Sequence, residues 1–279
     1  MKHQCVSLML ICFVLVMHAK PAAAADNDHY VKYSLEVSVP ITAALVGLAF
    51  GAEFYKKRYA PRRCHWCTKF PPDEMVRNAL RWNYSETKTA NMASNIVLAS
   101  IPLLGLAQLA FIHDDIHNPT SGEWNGFGSA SLIYAETLAI SLALNQVSKL
   151  FFMRQRPYAR NGSMGDSDAN VSFYSGHTST AFVLATAAAT LNDMKGGNYR
   201  ALTWSINLLL ATTVGYLRIA ADKHYFTDVL VGGIVGTLIG VLVPRLLHKK
   251  EKDDPQVKSN PSPYAPPPKP VMFGIGIPF

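Results

Sequence analysis

Residues 227–247 read TDVLVGGIVGTLIGVLVPRLL, an almost uncharged stretch in which Gly232, Gly236 and Gly240 stand four residues apart. About 20 apolar residues are the length that an α-helix needs to cross the hydrocarbon core of a bilayer. Glycines at this spacing share one face of the helix and allow a second helix to approach closely. The stretch therefore predicts a membrane helix that packs tightly against a neighbour.

Four other apolar stretches precede it, at residues 91–112, 129–152, 178–191 and 201–220. The third is rich in small residues, which suits close packing between helices. The second contains Glu136 and other polar residues, which must face the interior of a bundle rather than lipid. The fold class that follows is all-α, a membrane-embedded helical bundle.

Composition divides the chain into four regions. Residues 1–25 have a basic start, a short apolar run and a small-residue exit, which is the pattern of a secretory signal peptide, with an uncleaved anchor helix as the alternative. Residues 26–90 predict an N-terminal helix and a basic linker, and residues 91–247 predict the helical core. Residues 248–279 are rich in proline and lack periodicity, so we expect a disordered tail.

The formal net charge is +7, and it falls to +5 without residues 1–25, which carry two lysines and no acidic residue. This modest excess suits the flanks of membrane helices and an anionic substrate. The sequence has no basic stripe interleaved with aromatic residues, so no nucleic-acid partner is expected.

Cys64 and Cys67 form a C-x-x-C pair in the basic linker. A zinc site would need four ligands, and a second cysteine pair is missing from this region. A redox site would need a strand followed by a helix, which the flanking Arg62-Arg63 and Pro71-Pro72 do not suggest. A structural disulfide or idle thiols are the favoured interpretation, and redox and metal sites remain alternatives.

Two polar clusters lie at the ends of apolar stretches. Lys149 and Arg156 are seven residues apart, two turns on one helical face, so both cations can point at one place. Ser175-Gly176-His177 precedes the next stretch, where a helix N-terminus attracts anions and Gly176 lets the backbone approach them. Taken singly, these are also the patterns of an ordinary cation-flanked helix end and an ordinary helix cap.

The third cluster is Arg218, His224 and Asp228. Four residues separate His224 from Asp228, so on a helix the carboxylate can hold one ring nitrogen and leave the other free to attack phosphorus. Arg218 offers a planar fork for two phosphate oxygens. A core histidine satisfied by its neighbour is the alternative. Together the three clusters supply cations, a nucleophile, a proton donor and an orienting group, which predicts a phosphate-handling site.

These clusters resemble the three signature motifs of the type 2 phosphatidate phosphatase superfamily, which includes bacterial lipid phosphatases, secreted acid phosphatases and vanadium haloperoxidases. The motifs cover residues 149–228, and the surrounding helices extend the likeness to about 91–247. The resemblance implies a six-helix phosphatase core. Two positions depart from the family pattern, because Tyr174 stands in place of proline and Leu217 in place of serine, so we expect altered loop geometry or substrate preference.

The resemblance also implies roles for the residues. His224 would attack phosphorus and form a phosphohistidine, oriented by Asp228, while His177 would protonate the leaving oxygen and later activate water. The phosphate oxygens would be bound by Lys149, Arg156, Ser175, Gly176 and Arg218. No cofactor or metal is expected, and the acidic and histidine residues at 113–117 are interpreted as a solvated loop.

The side of the membrane depends on residues 37–50, a short apolar stretch. If it crosses, the site lies in the cytoplasm and the basic segment after it obeys the positive-inside tendency. If it does not cross, the site faces the periplasm and the basic residues at 248–250 are cytoplasmic. We favour the second arrangement, in a bacterial inner membrane, because the stretch is short and the resembling bacterial enzymes mostly act on the outer face.

The expected function is a membrane enzyme that removes a terminal phosphate from a lipid, because the site lies level with headgroups. A broad-specificity acid phosphatase acting on soluble esters is the alternative enzyme. A haloperoxidase is less favoured because those enzymes are usually much larger. A membrane protein that binds anionic lipids without catalysis is the alternative outside enzymes.

Overall fold

A computed structural model describes residues 35–59, 63–112, 127–161, 166–194 and 199–248. The expected signal peptide, the acidic and histidine loop at 113–117 and residues 249–279 of the expected tail lie outside the described residues.

The five long apolar stretches and residues 37–50 are helical, and the described residues contain no strand beyond one isolated β-bridge. The all-α prediction is confirmed. The helices are α1 (Leu35–Tyr59), α2 (Pro71–Leu80), α3 (Thr87–Ile112), α4 (Phe127–Phe152), α5 (Gly176–Met194), α6 (Arg200–Ala220) and α7 (Phe226–Leu247). Helices α2 to α7 form the core of the bundle. The short helix α2 packs against α6 and α7.

Three helices in the described part of the chain are long and apolar enough to cross a membrane, namely α3, α4 and α7. Helix α1 carries only a shorter apolar segment, residues 38–54, and packs against α4. Helix α5 is the most enclosed, because α3, α4, α6 and α7 all pack against it and most of its side chains are buried. The prediction of a membrane-embedded bundle is confirmed.

The glycine face of α7 packs directly on the backbone of α5. A Cβ atom added at Gly232 would lie 2.9 Å from the carbonyl oxygen of Ser175, and one at Gly236 would lie 2.5 Å from that of Ser179. These separations are shorter than van der Waals contact, so only glycine allows the two helices to come this close. The contact sets the position of the first turn of α5, which carries the second polar cluster.

Alanine at Gly236 is expected to destabilise the protein by about 2 kcal/mol, because the added methyl group meets backbone that cannot move aside. Gly233 is the matched control, since its added Cβ would meet the Phe182 ring at an ordinary 3.4 Å. Both substitutions gain the same helix propensity, so the difference between their unfolding free energies in detergent isolates the contact. Equal stabilities of the two variants would show that α5 and α7 are not held this closely.

A disulfide joins Cys64 and Cys67, with a Cα–Cα distance of 5.6 Å. The two cysteines are thus a disulfide and not idle thiols, and the structural role of this disulfide stays a prediction. The segment is attached to the chain after α4, because the amide of Gln155 donates to the carbonyl of Trp66 at 3.2 Å. The Trp66 ring also lies 4.0 Å from the guanidinium of Arg154. The disulfide therefore lies at the end of the bundle where α4 ends.

The other end of the bundle holds its own polar pairs. His248 is buried, and its Nε2 lies 2.8 Å from a carboxylate oxygen of Glu136. Arg200 donates to Asp193 at 2.8 Å, and Arg245 lies 3.9 Å from the same carboxylate. The expectation that Glu136 faces the bundle interior is confirmed.

Candidate active site

The eight residues expected at the site come from four chain segments that meet at one end of the bundle. These segments are the C-terminal end of α4 with the loop after it, the first turn of α5, the C-terminal end of α6 and the first turn of α7. The α5 and α7 segments are joined by a backbone hydrogen bond from the Ser175 amide to the Asp228 carbonyl, 3.0 Å long. The structure therefore brings together residues that are far apart in sequence.

Arg156 and Arg218 are the two buried guanidinium groups of the set, 6% and 3% exposed. Nη1 of Arg218 donates to Oδ1 of Asn91 at 2.8 Å and lies 3.0 Å from Oγ of Ser94, while Nη2 of Arg156 lies 3.9 Å from Asp168. The Nε–H of each has no hydrogen-bond partner among the described residues. A buried donor left unpaired costs about 1–3 kcal/mol, so two such donors here suit an anionic ligand.

Lys149 approaches the turn before α5. A Cβ atom added at Gly176 would lie 3.3 Å from Nζ of Lys149 and 2.8 Å from Oδ1 of Asn145. Gly176 is thus required at this turn on steric grounds. Its lack of a side chain also lets the backbone approach an anion. The charge of Lys149 acts on both His177 and His224, so the ammonium group belongs to the same site.

His177 is half-buried in the first turn of α5, and its Nε2 lies 2.9 Å from the Oδ1 atom of Asn95 on α3. Because an amide oxygen only accepts hydrogen bonds, this contact places a proton on Nε2. The positive charges of Arg218, Arg156 and Lys149 all act on this ring, which lies beside them.

His224 is held by a different group from the one that the spacing suggested. Its Nδ1 lies 2.9 Å from the backbone carbonyl oxygen of Ser172, whereas the nearer oxygen of Asp228 is 3.7 Å away. The expected hydrogen bond between carboxylate and imidazole is therefore replaced by one from Nδ1–H to a carbonyl. The chemical result is the one expected, since Nε2 is left as the unprotonated nitrogen.

Burial lowers the pKa of His224 well below its ordinary value, and the positive charges of Arg156, Arg218 and Lys149 lower it further. The ring is thus neutral at neutral pH. A neutral imidazole has the free lone pair that nucleophilic attack requires.

Comparison with known proteins gives a family match over this part of the chain. Residues 130–252 match the sequence profile of the PAP2 superfamily, a range that includes all eight site residues. The resemblance inferred from the motifs is confirmed.

Three relatives align with parts of the chain. Lipid A 1-phosphatase of Porphyromonas gingivalis is 33% identical over 122 residues, which cover 43% of this chain and 24% of that protein. A PA-phosphatase related-family protein of Dictyostelium discoideum is 29% identical over 57% of this chain and 64% of its own length. Phospholipid phosphatase 2 of Mus musculus is 25% identical over 59% and 70%. The matches thus span less than two thirds of the first two relatives.

Among solved structures, a transmembrane PAP2 type phosphatidylglycerolphosphate phosphatase from Bacillus subtilis superimposes with a TM-score of 0.47. The superposition covers 74% of this chain and 93% of that chain, at 20% sequence identity.

Both departures from the PAP2 pattern are buried. The carbonyl oxygen of Tyr174 accepts a 2.8 Å hydrogen bond from Nδ2 of Asn145, and the Tyr174 side chain is 4% exposed. Leu217 is buried directly before Arg218. The tyrosine thus fills space beneath the turn, and Asn145 of α4 holds the turn in place.

The contribution of α3 to the candidate site was not predicted from the sequence. Asn91 and Ser94 hold Arg218, and Asn95 holds His177. A signal was present, because these three polar residues are spaced i, i+3 and i+4 at the start of an otherwise apolar helix, so they share one face. That pattern predicts a polar face, and only the fold shows which groups it meets.

Among the described residues, no group of three or more His, Cys, Asp and Glu side chains is placed to hold a metal ion.

Proposed function

We propose that this protein is a membrane phosphatase that hydrolyses a phosphomonoester or diphosphate of a lipid through a phosphohistidine on His224, without a metal ion. The observation that carries the proposal is a pair of buried guanidinium groups beside two imidazoles, whose Nε–H donors have no hydrogen-bond partner in the part of the chain that the structure describes. A tetrahedral oxyanion supplies the acceptors that those donors lack.

In the first step Nε2 of His224 attacks phosphorus and the bond from phosphorus to the leaving oxygen breaks. Arg156, Arg218, Lys149 and the Ser175–Gly176 corner bind the remaining oxygens, and their charges offset the charge that develops there. A bound phosphate group carries up to about two negative charges. It therefore offsets the neighbouring cations and favours the protonated form of His177, which gives its proton to the leaving oxygen.

In the second step His177 takes a proton from water, and the resulting hydroxide attacks the phosphoryl group. The phosphorus–nitrogen bond breaks, which releases inorganic phosphate and restores neutral His224. Each step is completed by residues of this chain together with substrate and water.

A lipid substrate is supported by the position of the site. It lies at the ends of α4 and α7, two of the helices able to span a membrane, where headgroup phosphates are found. The named activities of the Porphyromonas gingivalis and Mus musculus relatives, a lipid A 1-phosphatase and a phospholipid phosphatase, support the same substrate class.

We also propose that the site faces the periplasm of a bacterial inner membrane. The Cys64–Cys67 disulfide supports this orientation, because its segment packs on Arg154 beside the site and disulfides persist in oxidising compartments. Arg200 and Arg245 lie at the opposite end of the bundle, which would then face the cytoplasm, as the positive-inside tendency prefers.

The test is phosphate release by the detergent-purified protein from phosphatidate, phosphatidylglycerol phosphate, a polyprenyl diphosphate, lipid A and p-nitrophenyl phosphate, with a chelator present. We expect one of the lipids to be hydrolysed fastest, at a rate that the chelator leaves unchanged. Preference for p-nitrophenyl phosphate would indicate a soluble-ester phosphatase, and loss of activity with chelator would contradict the metal-free mechanism. Lipid binding without hydrolysis would support the non-catalytic alternative.

A further inference from the structure

Arg154 is the centre of a charged network that the phosphate-binding scheme does not use. Its side chain is 2% exposed and lies between the rings of Trp66 and Tyr225, 4.0 and 4.5 Å from their centroids. Nη1 donates to Oδ1 of Asp228 at 2.5 Å, and Nη2 donates to Oδ2 of Asp73 at 2.6 Å. One guanidinium thus links α2 to the first turn of α7.

The same network determines how His224 is held. With Oδ1 of Asp228 bound to Arg154, its Oδ2 accepts from the Ser172 hydroxyl at 2.6 Å and from the Tyr225 amide at 3.0 Å. Both carboxylate oxygens are therefore committed, and neither reaches His224 at hydrogen-bonding distance. The Ser172 hydroxyl is drawn to Asp228, while its carbonyl oxygen accepts from Nδ1 of His224.

We infer that Arg154 is a positioning residue for His224 and acts through Asp228 and Ser172. Asp73 shares the guanidinium of Arg154 and thereby sets how strongly its positive charge interacts with Asp228. The inference rests on the proposed role of His224 as nucleophile. Three charges buried together are costly to desolvate, and an apolar set of the same size would hold these segments at least as well. What the charged set adds is a chain of directional contacts that ends on the His224 ring.

The network also adjusts the charge that His224 experiences. Arg154 lies between two carboxylates, so removing it leaves both of them uncompensated, while neutralising Asp73 directs the whole guanidinium charge to Asp228. The two changes therefore act in opposite directions on protonation of His224. The titratable and charged groups that face His224 or act through its neighbours come from every surrounding segment: Asp73, Lys149, Arg154, Arg156, His177, Arg218, Lys223 and Asp228.

The experiment is the pH dependence of kcat and KM for wild type, Arg154→Met, Arg154→Lys and Asp73→Asn, with p-nitrophenyl phosphate and the lipid phosphate that the wild type hydrolyses fastest as substrates. For Arg154→Met we expect kcat to fall about 100-fold with little change in KM, because the nucleophile is misplaced while the phosphate ligands remain. The acidic limb of the kcat–pH profile of this variant should move to higher pH by on the order of one unit, because the uncompensated carboxylates favour the protonated form of His224.

Asp73→Asn should move the acidic limb to lower pH, and Arg154→Lys should return it close to the wild-type position while restoring only part of kcat. Arg200→Met, which breaks an ion pair at the far end of the bundle, is the matched control and should leave the limb in place. The folded fraction of each variant is measured by gel filtration, and kcat is corrected for it. If Arg154→Met does not fold, the test is the shift of Asp73→Asn to lower pH, measured against the nearly unchanged limb of Arg154→Lys.

An acidic limb that stays fixed in every folded variant would overturn the inference, as would a shift of Arg154→Met and Asp73→Asn in the same direction. A wild-type protein that releases phosphate from none of the lipid phosphates and not from p-nitrophenyl phosphate would instead count against the proposed function. The two failures are thus distinguishable.

Discussion

Replacing His224 by alanine is expected to lower phosphate release by about 10⁵-fold, the largest effect of any single substitution in the chain. The imidazole is 1% exposed and its Nδ1–H is bound to the Ser172 carbonyl, so Nε2 is the one nitrogen left to attack phosphorus. Removing the ring removes the bond-forming atom, and no other described histidine except His177 lies among these cations.

The measurement is single-turnover and steady-state phosphate release from the lipid hydrolysed fastest, with the folded state checked by thermal unfolding in detergent. His65→Ala is the matched control, because that side chain is exposed, and it should retain wild-type activity. Activity of the His224 variant within tenfold of wild type would show that the nucleophile lies elsewhere.

Replacing His177 by asparagine is expected to give the second largest loss, about 10³-fold with a lipid phosphate. The lipid leaves as an alkoxide, which needs a proton, and His177 is the imidazole placed beside the cations at the start of α5. The p-nitrophenolate ion leaves without a proton. With p-nitrophenyl phosphate the variant should therefore release one equivalent of p-nitrophenolate rapidly and then turn over slowly, because water activation is still impaired.

Burst kinetics measured by stopped flow separate the two steps. Equal losses with both substrates and no burst would contradict the assignment of His177 as the proton donor.

Much of the architecture could be predicted because it rests on local composition. Apolar length placed the five long helices, and the Gly232, Gly236 and Gly240 face predicted the close contact that α7 makes with α5. The contribution of α2 could not be predicted in this way. Its Arg77 is bound by the Asp222 carboxylate at 2.6 Å, a pairing between distant segments that neither sequence stretch indicates by itself.

Part of the site could likewise be predicted from the sequence, and part could not. Charged and nucleophilic side chains at fixed spacing predicted the eight residues, and the fold gathers them at one end of the bundle. The group that holds Nδ1 of His224 is a backbone carbonyl, which every residue carries, so no residue type could reveal it. Arg154 lies two residues before Arg156, yet only the tertiary structure shows that it binds Asp228 and Asp73 and is not one of the proposed phosphate ligands.

The most direct test of the account is to trap the phosphoenzyme. The His177→Asn variant is mixed with excess p-nitrophenyl phosphate, quenched in alkali within the burst and digested, and the phosphorylated peptide is located by mass spectrometry. Our account predicts one phosphoryl group per protein on His224, stable in alkali and lost in acid. A phosphoryl group on any other residue, or a burst with no phosphorylated peptide, would contradict it.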